Sequence, residues 1–554
     1  MFKLLEGAIP YNPADEQEYT RRGWWRGLTL SDYLDRAADI HPDKEAFVDR
    51  IGRYTYGQAR EKTDRLATGM LKLGINPLER VLVQLPNWNE FIFAYFACQK
   101  IGAIPVLLIE RYRKFEIDRL IKLTGATAWI APKRTHKFDF VPMIKDVLKD
   151  NPEIKHIITV RGKVEGNVFK NLEELIEENQ LTQDDKYLLA QRRPDPRQVG
   201  HMGPTGGTTG APKIVPRTHN SLACAVEFCS MSWDQNCEDI NMIAGPVGHD
   251  LSFSKGMLGS IITQGKLIFQ STTDTADICR TIERERVTSV IWVPSLAQKM
   301  LQFDDIDSYD LTSLRKMHSG GGASHREMVK GIMDRFSICY YNGYGGTEGM
   351  TTITRRSDDY ETICCTVGRQ TFPHDIYKVV DAAGNELPPG KPGELLVKGP
   401  SVFSGYYKNP EENARVFNDE GFFKTGDLAT IDENGYITLC GRIKEMINRG
   451  GESISATDIE KLIILHPGVS MVAVIPMPDE LLGERICAYI EPQGDETLTF
   501  EQIIEFLKSK NASVLQLPER IVFVETMPMT KVGKLDKTAL RKDIVKKLKD
   551  EALT

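Results

Sequence analysis

Long apolar runs are missing from these 554 residues: no segment approaches the ~20 uninterrupted apolar side chains of a membrane-spanning helix. No integral membrane segment is therefore expected. The N-terminal stretch MFKLLEGAIPYNPADEQEY lacks the apolar core of a secretory signal, so a cytoplasmic location is expected. Basic excess is missing too. Lys and Arg number 70 against 77 Asp and Glu, a net charge of −7, which argues against nucleic acid as a main partner. The 10 cysteines are scattered without C-x-x-C spacing, and Cys364 and Cys365 are adjacent. Reduced thiols and no zinc site are expected. Repeats and low-complexity tracts are absent. One glycine-rich loop ends in a lysine, but no Ser or Thr follows to hold a metal, which excludes the nucleotide loop G-x-x-x-x-G-K-[ST].

What remains is a globular composition, 41% hydrophobic and 27% charged, on a chain too long for one core. Strand-like and helix-like runs alternate through the first two thirds. Ser31 is the expected N-cap of a helix ending near Ile40, and helices are expected over residues 56–73 and 90–101. Strands are expected at Val81–Leu85, Thr127–Ile130, His156–Val160, Met242–Ala244, Leu267–Gln270, Ser289–Val293 and Ile338–Tyr341. Between them fall helices at Pro142–Lys149, His219–Cys229, Thr275–Glu285 and Ser324–Phe336. The alternation predicts an α/β fold of doubly wound parallel sheets, which bind ligands at strand carboxyl ends. From about residue 370 short strands separated by Gly, Pro, Asn and Asp turns predict a β-rich subdomain. A small α+β domain follows, with helices near 459–465 and 500–509 and strands near 472–476, 485–491 and 520–525. The expected division is 1–443, with the β-rich part at about 370–443, and 444–554. The Trp24-Trp25 pair reads as core packing, and the basic run Lys537–Lys549 as a solvated helix face.

The stretch Thr205-Gly206-Gly207-Thr208-Thr209-Gly210-Ala211-Pro212-Lys213 is where chemistry concentrates. Glycines let backbone turn sharply and approach a ligand, successive amides can form an anion nest, and Lys213 adds a mobile charge. Alone it reads equally well as a surface connection. Tyr344-Gly345-Gly346-Thr347-Glu348 supplies a stacking face, a hydroxyl for a phosphate and a carboxylate for Mg²⁺. The backbone of Gly320-Gly321-Gly322-Ala323, ahead of a helix capped at Ser324, can read an adenine edge. Asp427 suits a ribose diol, with Arg442 a second ribose partner, and Lys534 ends the loop Pro528–Lys534.

In this order and spacing the motifs resemble the adenylate-forming superfamily of acyl-CoA synthetases, peptide-synthetase adenylation domains and luciferases. The resemblance covers nearly the whole chain. It is narrower toward stand-alone aryl-acid adenylating enzymes of the 2,3-dihydroxybenzoate–AMP ligase type, through Tyr19–Trp25, Gly207, Pro216–His219 and Ile447–Glu452. It implies that a carboxylate attacks the α-phosphate of MgATP, and that a thiol then displaces AMP from the acyl-adenylate after the small domain turns. Lys534 would neutralise charge at the α-phosphate, Glu348 would hold Mg²⁺ and Thr347 a phosphate. The Thr205–Gly210 loop and Lys213 would grip the outer phosphates. Lys444 stands where the superfamily places its hinge, and Gly450-Gly451 would line the path of a pantetheine arm.

The acyl pocket departs from that type. His249-Asp250, within Gly248–Gly256, stands where an Asn followed by an aromatic is usual. His249 would bond the carboxylate or cap the ring, or serve structure alone. Asp250 and Ser254 fall in the same substrate-binding stretch, Gly320 and Gly343 replace bulkier pocket residues, and Lys255 has no evident role. The resulting expectation is an acid–thiol ligase that passes a cyclic acid, aromatic or alicyclic, to coenzyme A. An aryl-acid–AMP ligase loading a separate carrier protein is the alternative. An ATP-sensing scaffold with a degenerate site is a third reading, against which the intact Lys534, Glu348 and Asp427 speak.

Overall fold

The computed structural model describes residues 2–205, 212–322, 324–450, 452–494, 498–531 and 534–552. Packing divides the chain into two compact units, one of residues 1–376 with 398–417 and the other of 377–397 with 418–554. The expected division at Lys444 rests on the resemblance to a hinge position, and these units are drawn on packing instead.

Two α/β sheets dominate the first unit. One has seven strands, ordered Phe169–Asn171, His156–Val160, Ala126–Pro132, Arg80–Val83, Ile104–Leu107, Val199–Thr205 and Lys213–Thr218. All neighbours run parallel except the last pair. The other has nine strands, with a parallel centre from Glu45–Val48 to Cys339–Gly345 and antiparallel edges. Strands such as Ser289–Trp292 and Ile104–Leu107 are buried at every residue, as parallel strands covered on both faces must be. The helix Asn89–Lys100 is buried nearly all round and lies in one core with Val81 and Val83 of the first sheet and Phe47, Ile243 and Leu267 of the second. Trp25 is buried among Tyr11, Tyr19 and Phe372, and its indole N–H donates to the Pro400 carbonyl at 3.0 Å.

Two helix starts differ from expectation. The first is capped by Thr29, not Ser31, because the Thr29 N–H donates to Asp32 Oδ2 at 2.6 Å and closes a T-x-x-D box. The helix Arg326–Phe336 is capped at His325. Ser324 is drawn away to the Tyr340 hydroxyl and Asn342 Oδ1, at 2.9 and 3.0 Å.

In the second unit, strands Ile376–Val380, Gly393–Lys398, Phe423–Ile431 and Ile437–Arg442 form a four-stranded sheet. A five-stranded sheet follows, built on the long hairpin Val469–Asp479 and Gly483–Pro492. The helices Ala456–Ile463 and Phe500–Ser509 cover one face of it through Ile459, Ile463, Ile503 and Leu507. The C-terminal helix Lys537–Ala552 packs Leu540 and Ile544 with Ile475 and Tyr489. No helix among the described residues is long and apolar enough to cross a membrane.

Three fully buried histidines in the first unit make its stability acid-sensitive. Burial pushes His201, His219 and His318 down to about 3 from 6.5. His219 Nδ1 accepts from the Leu30 N–H at 3.1 Å, a bond that only the neutral ring can make. Below pH 6.5 the unfolded chain binds protons that the folded chain refuses, so stability present above that pH is lost as pH falls toward 3. Each histidine contributes about 1.4 kcal/mol per pH unit in that window. Burial acts with the opposite sign on carboxyls, raising Asp375 to about 7 and lifting Asp35, Glu90 and Glu348 as well, so the histidine contribution is read as a difference between variants. Relative to His219→Gln, the wild-type urea midpoint should fall between pH 7.5 and 5.5. An identical pH response in both proteins would remove His219 from the account.

Candidate active site

Strands Val199–Thr205 and Lys213–Thr218 pair antiparallel with Thr205 opposite Lys213, and the Gly/Thr run falls between them in sequence. Gly206, Gly207, Thr208, Thr209 and Gly210 lie outside the described residues. On the second of these strands the Lys213 ammonium pairs with Glu412 and lies 4.8 Å from the centre of the Tyr406 ring. A hydrogen bond from Arg415 first, then one from Lys213, overcomes desolvation and holds the Glu412 carboxyl at about 2. The Tyr406 hydroxyl donates to Glu348 Oε1 at 2.8 Å. A chain of contacts thus links the phosphate-loop lysine to the expected metal carboxylate. Nothing in sequence pairs Tyr406 or Glu412 with residues so far away.

Tyr344 and Gly345 end the strand Cys339–Gly345, and Thr347 and Glu348 occupy the turn that follows. Buried Arg217 fixes that turn from beneath, donating to the Thr347 carbonyl at 3.1 Å and the Ser221 carbonyl at 2.9 Å. Gly349 turns the chain at φ +104°, and a Cβ there would stand 2.1 Å from the Ser401 carbonyl, so only glycine fits. Glu348 is buried, and desolvation raises its carboxyl above the usual range against the bonds from backbone and Tyr406. A carboxylate so placed gains from a neighbouring cation.

The acyl-pocket candidates gather on one element. Residues Leu251–Leu258 form a π-helix headed by Asp250, with Ser254 Oγ donating to the Asp250 carbonyl at 2.7 Å. The His249 N–H donates to the Pro246 carbonyl at 3.0 Å, and its carbonyl accepts from Phe253 at 2.9 Å. Gly320 follows the strand Lys316–Ser319, and a Cβ on it would lie 3.3 Å from the Gly343 carbonyl and 3.6 Å from Leu251 Cδ1. Gly320 and Gly343 therefore meet beneath the π-helix. Gly321 and Gly322 continue the loop, Gly321 at φ +82°, and Ala323 lies outside the described residues.

The room left by Gly343 is already taken. A Cβ there would be 3.0 Å from His318 Nε2 and 3.3 Å from the Thr352 carbonyl. Its missing side chain admits the buried His318 ring rather than deepening a cavity. Gly343→Val is expected to cost about 1–3 kcal/mol of stability through overpacking and to lower turnover of all acids alike. A thermal melt beside an acid panel checks this. Unchanged stability with selective loss of the larger acids would put Gly343 in the pocket wall instead.

In the second unit Asp427 and Arg442 face each other across neighbouring strands, with Arg442 Nε 3.0 Å from Asp427 Oδ1. Asp427 is buried and Arg442 half exposed. Lys444 lies in the 3-10 turn Ile443–Glu445. Gly450, at φ +58°, turns the hairpin between Met446–Arg449 and Glu452–Ser455, and its N–H donates to the Leu482 carbonyl at 2.8 Å. Gly451 lies outside the described residues. Lys534 closes a small loop, its N–H donating to Thr530 Oγ1 at 3.0 Å.

Among the described residues no three His, Cys, Asp or Glu side chains gather as a ligand set. Glu348 fits Mg²⁺ in the way that ion is commonly held, by one or two carboxylates with substrate phosphates and water completing the shell.

A doubly wound core that carries the Gly/Thr-rich stretch, with a smaller lysine-bearing unit, is the architecture of adenylate-forming proteins. The sequence pattern of the AMP-binding enzyme family matches residues 34–407, that of the AMP-binding enzyme C-terminal domain matches 458–534, and the chain belongs to this family. It is 34% identical to the 2,3-dihydroxybenzoate-AMP ligase of Bacillus subtilis over 550 residues, 98% of this chain and 99% of that one. It is 31% identical to the 2-hydroxy-7-methoxy-5-methyl-1-naphthoate--CoA ligase of Streptomyces carzinostaticus, over 97% of this chain and 96% of that one. It is also 31% identical to a salicyl-AMP ligase / salicyl-S-ArCP synthetase of Mycobacterium tuberculosis, over 97% of this chain and 94% of that one.

Proposed function

We propose that the protein converts an aromatic carboxylic acid to its acyl-adenylate and passes the acyl group to the thiol of a separate carrier protein. In the first step a carboxylate oxygen bonds to the α-phosphorus of ATP as the bond to pyrophosphate breaks. In the second a thiolate bonds to the acyl carbon as the bond to AMP breaks. The observation that carries this reading is the contact chain from Lys213 through the Tyr406 ring and hydroxyl to Glu348, starting on the strand that follows the Gly/Thr stretch. It ties a phosphate cation to a buried carboxylate on a protein with full-length similarity to aryl-AMP ligases.

Lys213, Thr205 and the Gly/Thr loop would grip the outer phosphates, and Thr347 another phosphate oxygen. Tyr344 would stack on the adenine, whose edge the Gly321–Ala323 backbone would read. Asp427 and Arg442 would take the ribose. Glu348 would hold Mg²⁺, which when bound neutralises phosphate charge, and the Tyr406 hydroxyl fixes the orientation of that carboxylate. His249 would orient the acid's carboxylate, with Gly320 in the floor and Asp250 and Ser254 in the wall of its pocket. Lys534 would stabilise charge passing between carboxylate and α-phosphate. Gly450-Gly451 would admit the acceptor's arm.

The acceptor preferred from sequence, coenzyme A, gives way here to a carrier protein. Relatives of this length include AMP ligases and one named for an ArCP product, alongside a CoA ligase. The test is ATP–pyrophosphate exchange over a panel of aromatic, alicyclic and straight-chain acids. The best acid is then offered to CoA and to an aryl carrier protein, and products are read by mass spectrometry. Aromatic preference with acyl transfer to the carrier supports the proposal. Faster thioester formation on CoA overturns the acceptor, and a straight-chain preference overturns the acid.

A further inference from the structure

The cation assigned to the outer phosphates is already committed to a carboxylate. Lys213 pairs with Glu412, their side chains 22% and 15% exposed. The same ammonium lies 4.8 Å from the centre of the Tyr406 ring. Arg415 holds Glu412 as well: its Nε stands 3.0 Å from Oε2, and its Nη2 2.5 Å from Oε1, the oxygen that Lys213 also meets. Asn409 Oδ1 accepts from the Glu412 N–H at 3.3 Å, which fixes the backbone from which the carboxylate projects. A half-buried carboxylate stripped of its partner is costly. With Arg415 in place, Glu412 can release Lys213 and still be paired.

The pair and the phosphate grip compete for one group. An ammonium has three donors. Glu412 takes one of them, and the Tyr406 ring covers a second direction. A polyphosphate brought to the third side would set its oxygens beside the Glu412 carboxylate, and like charges at that range repel. Lys213 is a point charge on a flexible stem, so it can swing from one anion to the other while its strand, Lys213–Thr218, stays in the sheet. Between the two half-reactions the multiply charged pyrophosphate must leave this cation. A carboxylate fixed beside the lysine is a ready replacement for it.

We propose that Glu412, held by Arg415, is the resting partner of Lys213, competing with the outer phosphates for its ammonium and so setting how readily pyrophosphate leaves. The inference rests on the reading above that Lys213 grips those phosphates, and it makes Glu412 a positioning residue that acts through Lys213. A ligand that needs the minor state of a two-state group binds more weakly in proportion to that state's population. Glu412 therefore weakens ATP binding somewhat and favours product release and the forward direction.

The test is calorimetric titration of the full chain with magnesium pyrophosphate and with MgATP, in the wild type, Glu412→Gln, Lys213→Met and the double variant. Lys213→Met should weaken both ligands. Glu412→Gln should tighten pyrophosphate about tenfold and ATP in the same sense, as expected if Lys213 is free of its partner about a tenth of the time. In the Lys213→Met background that tightening should vanish, because the two residues act as one unit. If Glu412→Gln fails to fold, Arg415→Gln leaves the carboxylate wholly to Lys213 and should weaken pyrophosphate, again only where Lys213 is present. Unchanged or weaker pyrophosphate binding in folded Glu412→Gln overturns the proposal, as does a tightening that persists in full without Lys213, or an Arg415→Gln variant that binds pyrophosphate as the wild type does. In each of those cases the phosphate-grip reading stands, provided that Lys213→Met alone weakens binding. If Lys213→Met binds both ligands as the wild type does, that reading and this one fall together.

Discussion

Lys534→Ala is expected to abolish adenylate formation while leaving the fold intact. The loop that carries it is made by backbone and by Thr530: the Thr530 N–H donates to the Lys534 carbonyl at 2.6 Å, and Asp536 to Pro528 at 2.8 Å. Met529 and Leu535 form a bridge across its base. These bonds use the main chain of residue 534, which alanine keeps, so the turn should be preserved. The chemistry depends on that side chain in a different way. As the carboxylate attacks the α-phosphorus, negative charge builds on oxygens that share no covalent partner with the protein. Removing one preorganised positive group from such a site typically costs ~3 kcal/mol or more, roughly a 100- to 1,000-fold loss of rate. Transfer from a supplied acyl-adenylate should be spared, because the phosphorus–oxygen bond to pyrophosphate is already broken when that step begins. Pyrophosphate exchange and thioester formation from synthetic adenylate are measured side by side. Wild-type exchange in the variant would remove Lys534 from the first step.

Fold and site were not equally legible in sequence. The helices Thr275–Glu285 and Phe500–Ser509 are readable to the residue, because an Asp or Thr cap meets a clean apolar stripe. Parallel strands are readable as apolar runs, to within a few residues. Caps were misread where two candidates compete: Thr29 and Ser31 both carry hydroxyls, and only the bond to Asp32 chooses between them. The π-helix is invisible, since one extra residue per turn barely alters the apolar pattern of LSFSKGML. The motif residues were legible because glycine, threonine and lysine in short order have few other uses. Their partners were not. Tyr406 lies 58 residues from Glu348, and Glu412 lies 199 from Lys213, so only folding brings them together. Gly343 marks a subtler limit, because a missing side chain in sequence does not say which neighbour fills the space.

Lys444→Pro is expected to separate the half-reactions in the other sense. Lys444 occupies the short turn between the strands Ile437–Arg442 and Met446–Arg449. That turn is held in its present form by neighbours on the C-terminal helix. Lys537 Nζ stands 3.2 Å from Glu445 Oε2, and the Arg541 guanidinium donates to the Lys444 carbonyl at 3.4 Å. The contacts are few and partly exposed, which suits a segment that must rearrange between two steps. Hinges work by absorbing large φ/ψ changes in a few residues. Proline fixes φ near −65° and also restricts the residue before it, here Ile443, so two adjacent positions lose their freedom. If the part of the chain after Lys444 turns about this point before the thiol attacks, the substitution leaves one arrangement accessible. Pyrophosphate exchange should then persist while acyl transfer collapses, on the order of 100-fold, the loss that a misplaced reacting group brings. Both steps are assayed on the same preparation, with circular dichroism and a thermal melt to confirm folding. Equal loss of both steps in a folded variant would mean that Lys444 is not the pivot, and undiminished transfer would mean that no rearrangement at this turn precedes it.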